Sequence, residues 1–175
     1  KPNEFAIGSG YSRKLSRNFS IAISGRYIYS NLTGGQSAGG TETVAGKSIA
    51  ADVAAFYTKD IRIAKQDSDL SIGMNISNIG NKISYTETVI RDFIPINLRL
   101  GTDLTTNFDQ YNKMSFALDF NKLLVPTPPL YNEDGDIIAG KDPEVSVVSG
   151  IFQSFGDAPD GFREEMREIN ISAGV

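Results

Sequence analysis

Seven stretches of this 175-residue chain alternate apolar and polar residues strictly, and the connections between them are alternately short and long. Phe19, Ile21, Ile23, Gly25, Tyr27 and Tyr29 interleave with Ser20, Ala22, Ser24, Arg26, Ile28 and Ser30. Leu70, Ile72, Met74 and Ile76 interleave with Ser71, Gly73, Asn75 and Ser77, and Met114, Phe116, Leu118 and Phe120 with Ser115, Ala117, Asp119 and Asn121. Successive side chains of a strand point to opposite faces, so each stretch has one apolar and one polar face. Repeated segments of about 10 residues, with long loops at one end only, are the pattern of an outer-membrane β-barrel. The expected fold class is therefore all-β, a transmembrane antiparallel β-barrel.

Mean hydropathy is −0.19 and no run of about 18 apolar residues occurs, so a transmembrane helix is excluded. Such hydropathy is compatible with a barrel, whose lumen-facing residues dilute the signal. The net charge of −4 argues against a nucleic-acid surface. The chain has no histidine and no cysteine. Ser–His and Cys–His nucleophilic pairs are thereby impossible, as is a His-ligated zinc site. No catalytic residue, metal or cofactor is expected, and the chain reads as a non-enzyme.

Strands are expected at 4–15, 19–31, 47–58, 69–78, 95–106, 113–123 and 168–175, as parts of one barrel domain spanning 1–175. The connection at 16–18 is a tight turn, 59–68 is intermediate and 107–112 is short. The long connections 32–46, 79–94 and 124–167 emerge together at the other end, which on the barrel rule is the cell exterior. Phe19, Tyr57 and Phe108 are expected near the periplasmic strand ends and Tyr29 and Phe120 near the outer ends, as interfacial girdles. Seven strands are too few to close a barrel, and alternation is still running at Val175. The expectation is a piece of a larger barrel.

Arg26, Asp52, Asn75, Arg99, Asp103 and Asp119 all fall on the polar phase of their strands. A charge on the lipid face would cost about 2–4 kcal/mol near the midplane for Arg or Lys, so these groups are expected to face the lumen. Their balanced signs suit a salt-bridged filling better than a one-signed solute path. The 124–167 connection is the least ordinary segment. It opens on Pro126, Pro128 and Pro129, passes the acidic turn 132–136, and carries the exposed-looking Val145, Val147, Val148, Ile151, Phe152 and Phe155, then Phe162 and Met166. Asp157-Ala158-Pro159 reads as a helix N-cap with proline just inside. The acidic turn lacks the register of a calcium loop. So many large apolar residues in a loop imply folding onto the rim or docking of a partner.

The run Phe120-Asn121-Lys122-Leu123-Leu124-Val125-Pro126-Thr127-Pro128-Pro129 resembles the strand-to-loop passage of the PorV family, also called LptO. So does the stretch from Ile151 to Glu165, leading into Ile169–Val175. That family comprises outer-membrane barrels of the type IX secretion system with FadL-like architecture. The resemblance implies a barrel of about fourteen strands. It implies binding of the C-terminal signal domain of cargo leaving a Sov/SprA-like translocon barrel, and covering of that translocon's lateral opening. It further implies delivery to an attachment complex with a PorU-like protease, in contact with outer-membrane lipid and lipopolysaccharide. On this reading Pro126, Pro128, Pro129, Ile151, Phe152, Phe155, Phe162 and Met166 are the candidate partner-binding residues. A FadL-like channel for hydrophobic solutes is the alternative. It would need an apolar interior, whereas the inward phase is mostly Ser, Asn, Asp, Arg, Gly and Ala.

Overall fold

A computed structural model describes residues 1–32, 34, 43–86 and 91–175. Parts of the expected long loops 32–46 and 79–94 therefore lie outside the described residues. Seven strands form one antiparallel sheet, in the order β1 (Asn3–Lys14), β2 (Phe19–Asn31), β3 (Gly46–Ile63), β4 (Gln66–Gly80), β5 (Asn97–Asn107), β6 (Lys113–Leu123) and β9 (Ile169–Gly174). Each strand pairs with its neighbour in sequence, with only the 124–168 excursion intervening before β9. The sheet is open, as a section of barrel wall is, and among the described residues no helix is long and apolar enough to cross a membrane.

Register joins the apolar phases into one surface. Ile23 pairs with Val53, Val53 with Ile76, Ile76 with Leu98, and Leu100 with Phe120. Phe120 in turn pairs with Ile171. Many of these side chains are exposed, including Ile7, Ile23, Ile49, Phe116 and Ile171. A large continuous apolar face of this kind is an interaction surface, and on a barrel wall its solvent is lipid. The polar phases line up on the opposite face.

The short connections gather at one end and the long ones at the other. Leu15–Asn18 closes the first hairpin, with the N–H groups of Leu15 and Ser16 both bonded to the Phe19 carbonyl. Phe108–Asn112 closes the third, held by the Asp109 carboxylate, which accepts the N–H groups of Tyr111 and Asn112. The second hairpin corrects the sequence expectation. β3 runs on to Ile63 and β4 begins at Gln66, so the expected intermediate connection 59–68 is a two-residue turn, Ala64-Lys65. Both turn residues have positive φ, 49° and 71°. That is the geometry whose twist matches paired strands, usually supplied by Asn-Gly. With no glycine, asparagine or proline there, nothing marked the turn. Tyr57 pairs with Phe19, but β3 continues six residues past it, so Tyr57 is not at its strand's end.

The 124–168 connection is folded. It contains a small hairpin of β7 (Leu130–Tyr131) and β8 (Ile137–Ala139), then helices α1 (Val147–Gln153) and α2 (Phe162–Arg167). The acidic stretch 132–136 is the hairpin's turn, closed by Asn132, whose side chain accepts the Asp136 N–H at 2.7 Å. Buried Ala50, Ile83, Ile94, Ile96 and Leu124 form the core beneath this cap, where the loop-end residues of the strands meet the loops. Val147 and Ile151 of α1 pack against it. Gly150 is required there, because a Cβ would lie 2.7 Å from the Phe93 ring.

Candidate partner-binding site on the rim

Continuing the apolar phase of β6 past Phe120 leads to Lys122, which pairs with Ile169 and Leu98. An ammonium facing the apolar side requires cover and counter-charge. α2 provides both. The Lys122 side chain is 7% exposed; its Nζ donates to Glu165 at 3.0 Å and to Glu168 at 2.7 Å. The Thr127 hydroxyl donates to the other Glu168 oxygen at 2.9 Å. The second Glu165 oxygen accepts the N–H groups of Asp157 and Ala158 at 2.8 and 2.9 Å. Asp157 in turn accepts the Thr127 N–H at 3.1 Å. One buried network thus ties the start of the connection, the bend before α2 and α2 itself to the end of β6.

The two buried acids are driven in opposite directions. Burial works against the charged form of Glu165, but the Ala158 N–H, the Lys122 ammonium and the Asp157 N–H outweigh it and hold the carboxyl below its ordinary value. Burial pushes the Asp157 carboxyl up. The Thr127 bonds oppose this and the charges of Glu165 and Glu168 add to it. The Asp157 Oδ1 atom has no hydrogen-bond partner.

This network replaces the N-cap expected at Asp157-Ala158-Pro159. α2 starts five residues later, after Gly161 at φ 68°, and Asp157 is 1% exposed. The bend residues are buried by tertiary contact, so the Asp157 carboxylate is spent on Thr127, a partner distant in sequence. The helix that does carry a side-chain cap is α1, where Ser146 accepts the Ser149 N–H.

Seven of the eight candidate partner-binding residues fall into three groups. Pro129 is buried and Pro126 half-buried, and Ile151 packs on the cap's core; these residues support the cap. Val148, an apolar residue of the loop not counted among the candidates, and Phe152 stand one helical turn apart on α1, 64% and 73% exposed. Phe155, Phe162 and Met166 line a groove of about 340 Å³ against Leu98, Leu100 and Phe120 of the sheet. Pro128 is exposed, apart from these groups.

On the polar face, Asn75, Arg99, Asp103 and Asp119 border one open cleft of about 390 Å³. Arg26 and Asp52 sit further along, joined by a 2.8 Å ion pair that also engages Ser24 and Asn78. The six polar-phase residues therefore share one face, as the alternation requires. Thr127, Glu165 and Glu168 left no local signal. Lys122 did leave one, as a lysine in the apolar register of β6.

An open antiparallel sheet with one lipid-type face, one polar face, tight turns at one end and long connections at the other is part of an outer-membrane β-barrel wall. The family model for the type IX secretion system protein PorV matches residues 1–130, and the chain belongs to that family. It is a type IX secretion system component, and both the family and the β-rich fold are those of an outer-membrane protein. The match covers β1 to β6 and ends at Leu130, so α1 and α2 lie beyond the matched residues. No curated protein matches the chain.

Proposed function

We propose that this chain is the outer-membrane subunit that receives the C-terminal signal domain of type IX cargo as it leaves the translocon. It carries that cargo to the cell-surface attachment complex and its protease, and it covers the translocon's lateral opening. Its long loops face the cell exterior, and it performs no catalysis itself. The observation supporting this reading is the α1 ridge. Val148 and Phe152 are held out to solvent by a helix whose other side is packed through Val147, Gly150 and Ile151. Rigid exposed aromatics lose little entropy on binding, which suits an anchor for another protein. The polar face, with its Arg26–Asp52 pair, offers no comparable support for a FadL-like hydrophobic channel.

The test replaces Val148 and Phe152 together by serine. Pull-down with a tagged cargo signal domain, and with the translocon, should fall while the folded barrel is still recovered from the outer membrane. Undiminished recovery of both partners would refute α1 as the docking ridge.

A further inference from the structure

We infer that the groove between α2 and the sheet is a binding site for an acyl chain of an anionic membrane lipid, whose headgroup phosphate is held by Arg163 and Arg167. The inference rests on membrane residence and is independent of the cargo reading.

The sheet-side wall of the groove includes Leu98, Leu100, Phe120 and Ile169. All four belong to the apolar phase, continuous through register with Met74, Phe116 and Ile171. The groove therefore opens on the lipid side of the wall, not into the polar interior. Its other wall is built from Phe155, Phe162 and Met166. The one ammonium in its lining, Lys122, is met by two carboxylates, Glu165 and Glu168. Asn121 also lines the groove, but its Oδ1 is already buried without a hydrogen-bond partner, so hydrocarbon filling the space strips no water from it.

Charge selects the headgroup. Although the chain is net acidic, α2 carries Arg163 and Arg167 one helical turn apart, each exposed and each following a groove residue, Phe162 or Met166. The neighbouring Glu164 carboxylate is turned back onto the Asp160 N–H at 2.8 Å. An apolar stripe beside a basic stripe is how a helix sits at the boundary between acyl chains and phosphates. Arginine's planar fork suits a phosphate.

The experiment uses the full-length protein isolated from outer membranes in mild detergent. It is exchanged into micelles containing phosphatidylglycerol or phosphatidylcholine of equal chain length, and retained lipid is read by native mass spectrometry. The wild type should keep phosphatidylglycerol in preference to phosphatidylcholine. Met166→Trp, which fills the groove, should lose the lipid, and Met166→Leu should keep it. Arg163→Gln and Arg167→Gln should each weaken phosphatidylglycerol retention by about fivefold. Heat-modifiable gel migration verifies that every variant is folded. Retention by folded Met166→Trp equal to wild type would overturn the site. So would loss of translocon pull-down in that variant with lipid retention unchanged, which would make the groove a protein socket. Equal retention of both lipids, indifferent to the arginines, would overturn the phosphate assignment.

Discussion

The Asp52 carboxylate accepts the backbone N–H of Asn78 at 2.8 Å, across a bulge where two residues of β4 oppose one of β3. Ala51 pairs with Ile79 and Val53 with Ile76, so Ser77 and Asn78 together face Asp52. Asn78 takes φ 60°, a left-handed conformation that asparagine tolerates better than most residues. Its side chain accepts from Arg26 at 3.1 Å and donates to the Pro95 carbonyl at 3.0 Å. The bulge resets the alternation, so that Ile76 and Ile79, three positions apart, both face the apolar side.

Asp52→Ala should leave the Asn78 N–H and the Arg26 guanidinium short of their acceptor. The expected cost is about 2 kcal/mol, moderated because both side chains are partly exposed. A lowered urea midpoint for the folded, heat-modifiable form would show it. An unchanged midpoint would mean that water replaces the carboxylate.

At the second tight turn, Ala64 and Lys65 occupy left-handed conformations without the residues that favour them. The double change Ala64→Asn, Lys65→Gly relieves this strain and should stabilise the sheet by about 1–2 kcal/mol. The same urea titration reads it, and a lower midpoint in the variant would contradict the turn geometry.

The rim network makes cap stability depend on pH in two opposed ways. Glu165 is held below its ordinary 4.5, so its contribution is complete above that value and is lost as pH falls through its lower folded value. Asp157 is raised above 3.8, so its charge burdens the folded cap at neutral pH. That burden lifts as pH falls through the raised value and is gone below 3.8. The cap should therefore be tightest in mild acid, above the range where Glu165 protonates. Asp157→Asn, which keeps an acceptor for Thr127, should protect the 155–168 backbone at neutral pH as mild acid protects the wild type. Hydrogen exchange corrected for intrinsic rates measures this, and unchanged or weaker protection in the variant would contradict the assignment.

How far the structure was legible varied from element to element, for identifiable reasons. β2, β5 and β6 were readable to within two residues because alternation is local and their hairpins end in turn-forming residues such as Asn18 and Asn112. The β3–β4 extension was not readable, since Ala64 and Lys65 are forced into their turn by strand pairing. The bulge left a trace in the step from Ile76 to Ile79, where the spacing of two becomes three. Lys122 left a trace as well, a charge in an apolar register that implies a cover. Its cover could not be named, because Glu165 and Glu168 lie more than forty residues away in sequence.

The sequence by itself determined a membrane-type sheet, with one apolar and one polar face and its long loops at one end. Those properties follow from the period of a strand and the chemistry of its side chains, which act over a few residues. Tertiary structure alone decided which apolar residues of the long loop became core and which became surface. Ile151 and Phe152 are neighbours in sequence, yet Ile151 packs on the cap's core and Phe152 faces solvent. α1's orientation is set by Phe93 against Gly150, and α2's by the buried Lys122 charge. Contacts between residues so far apart in sequence carry no local signature.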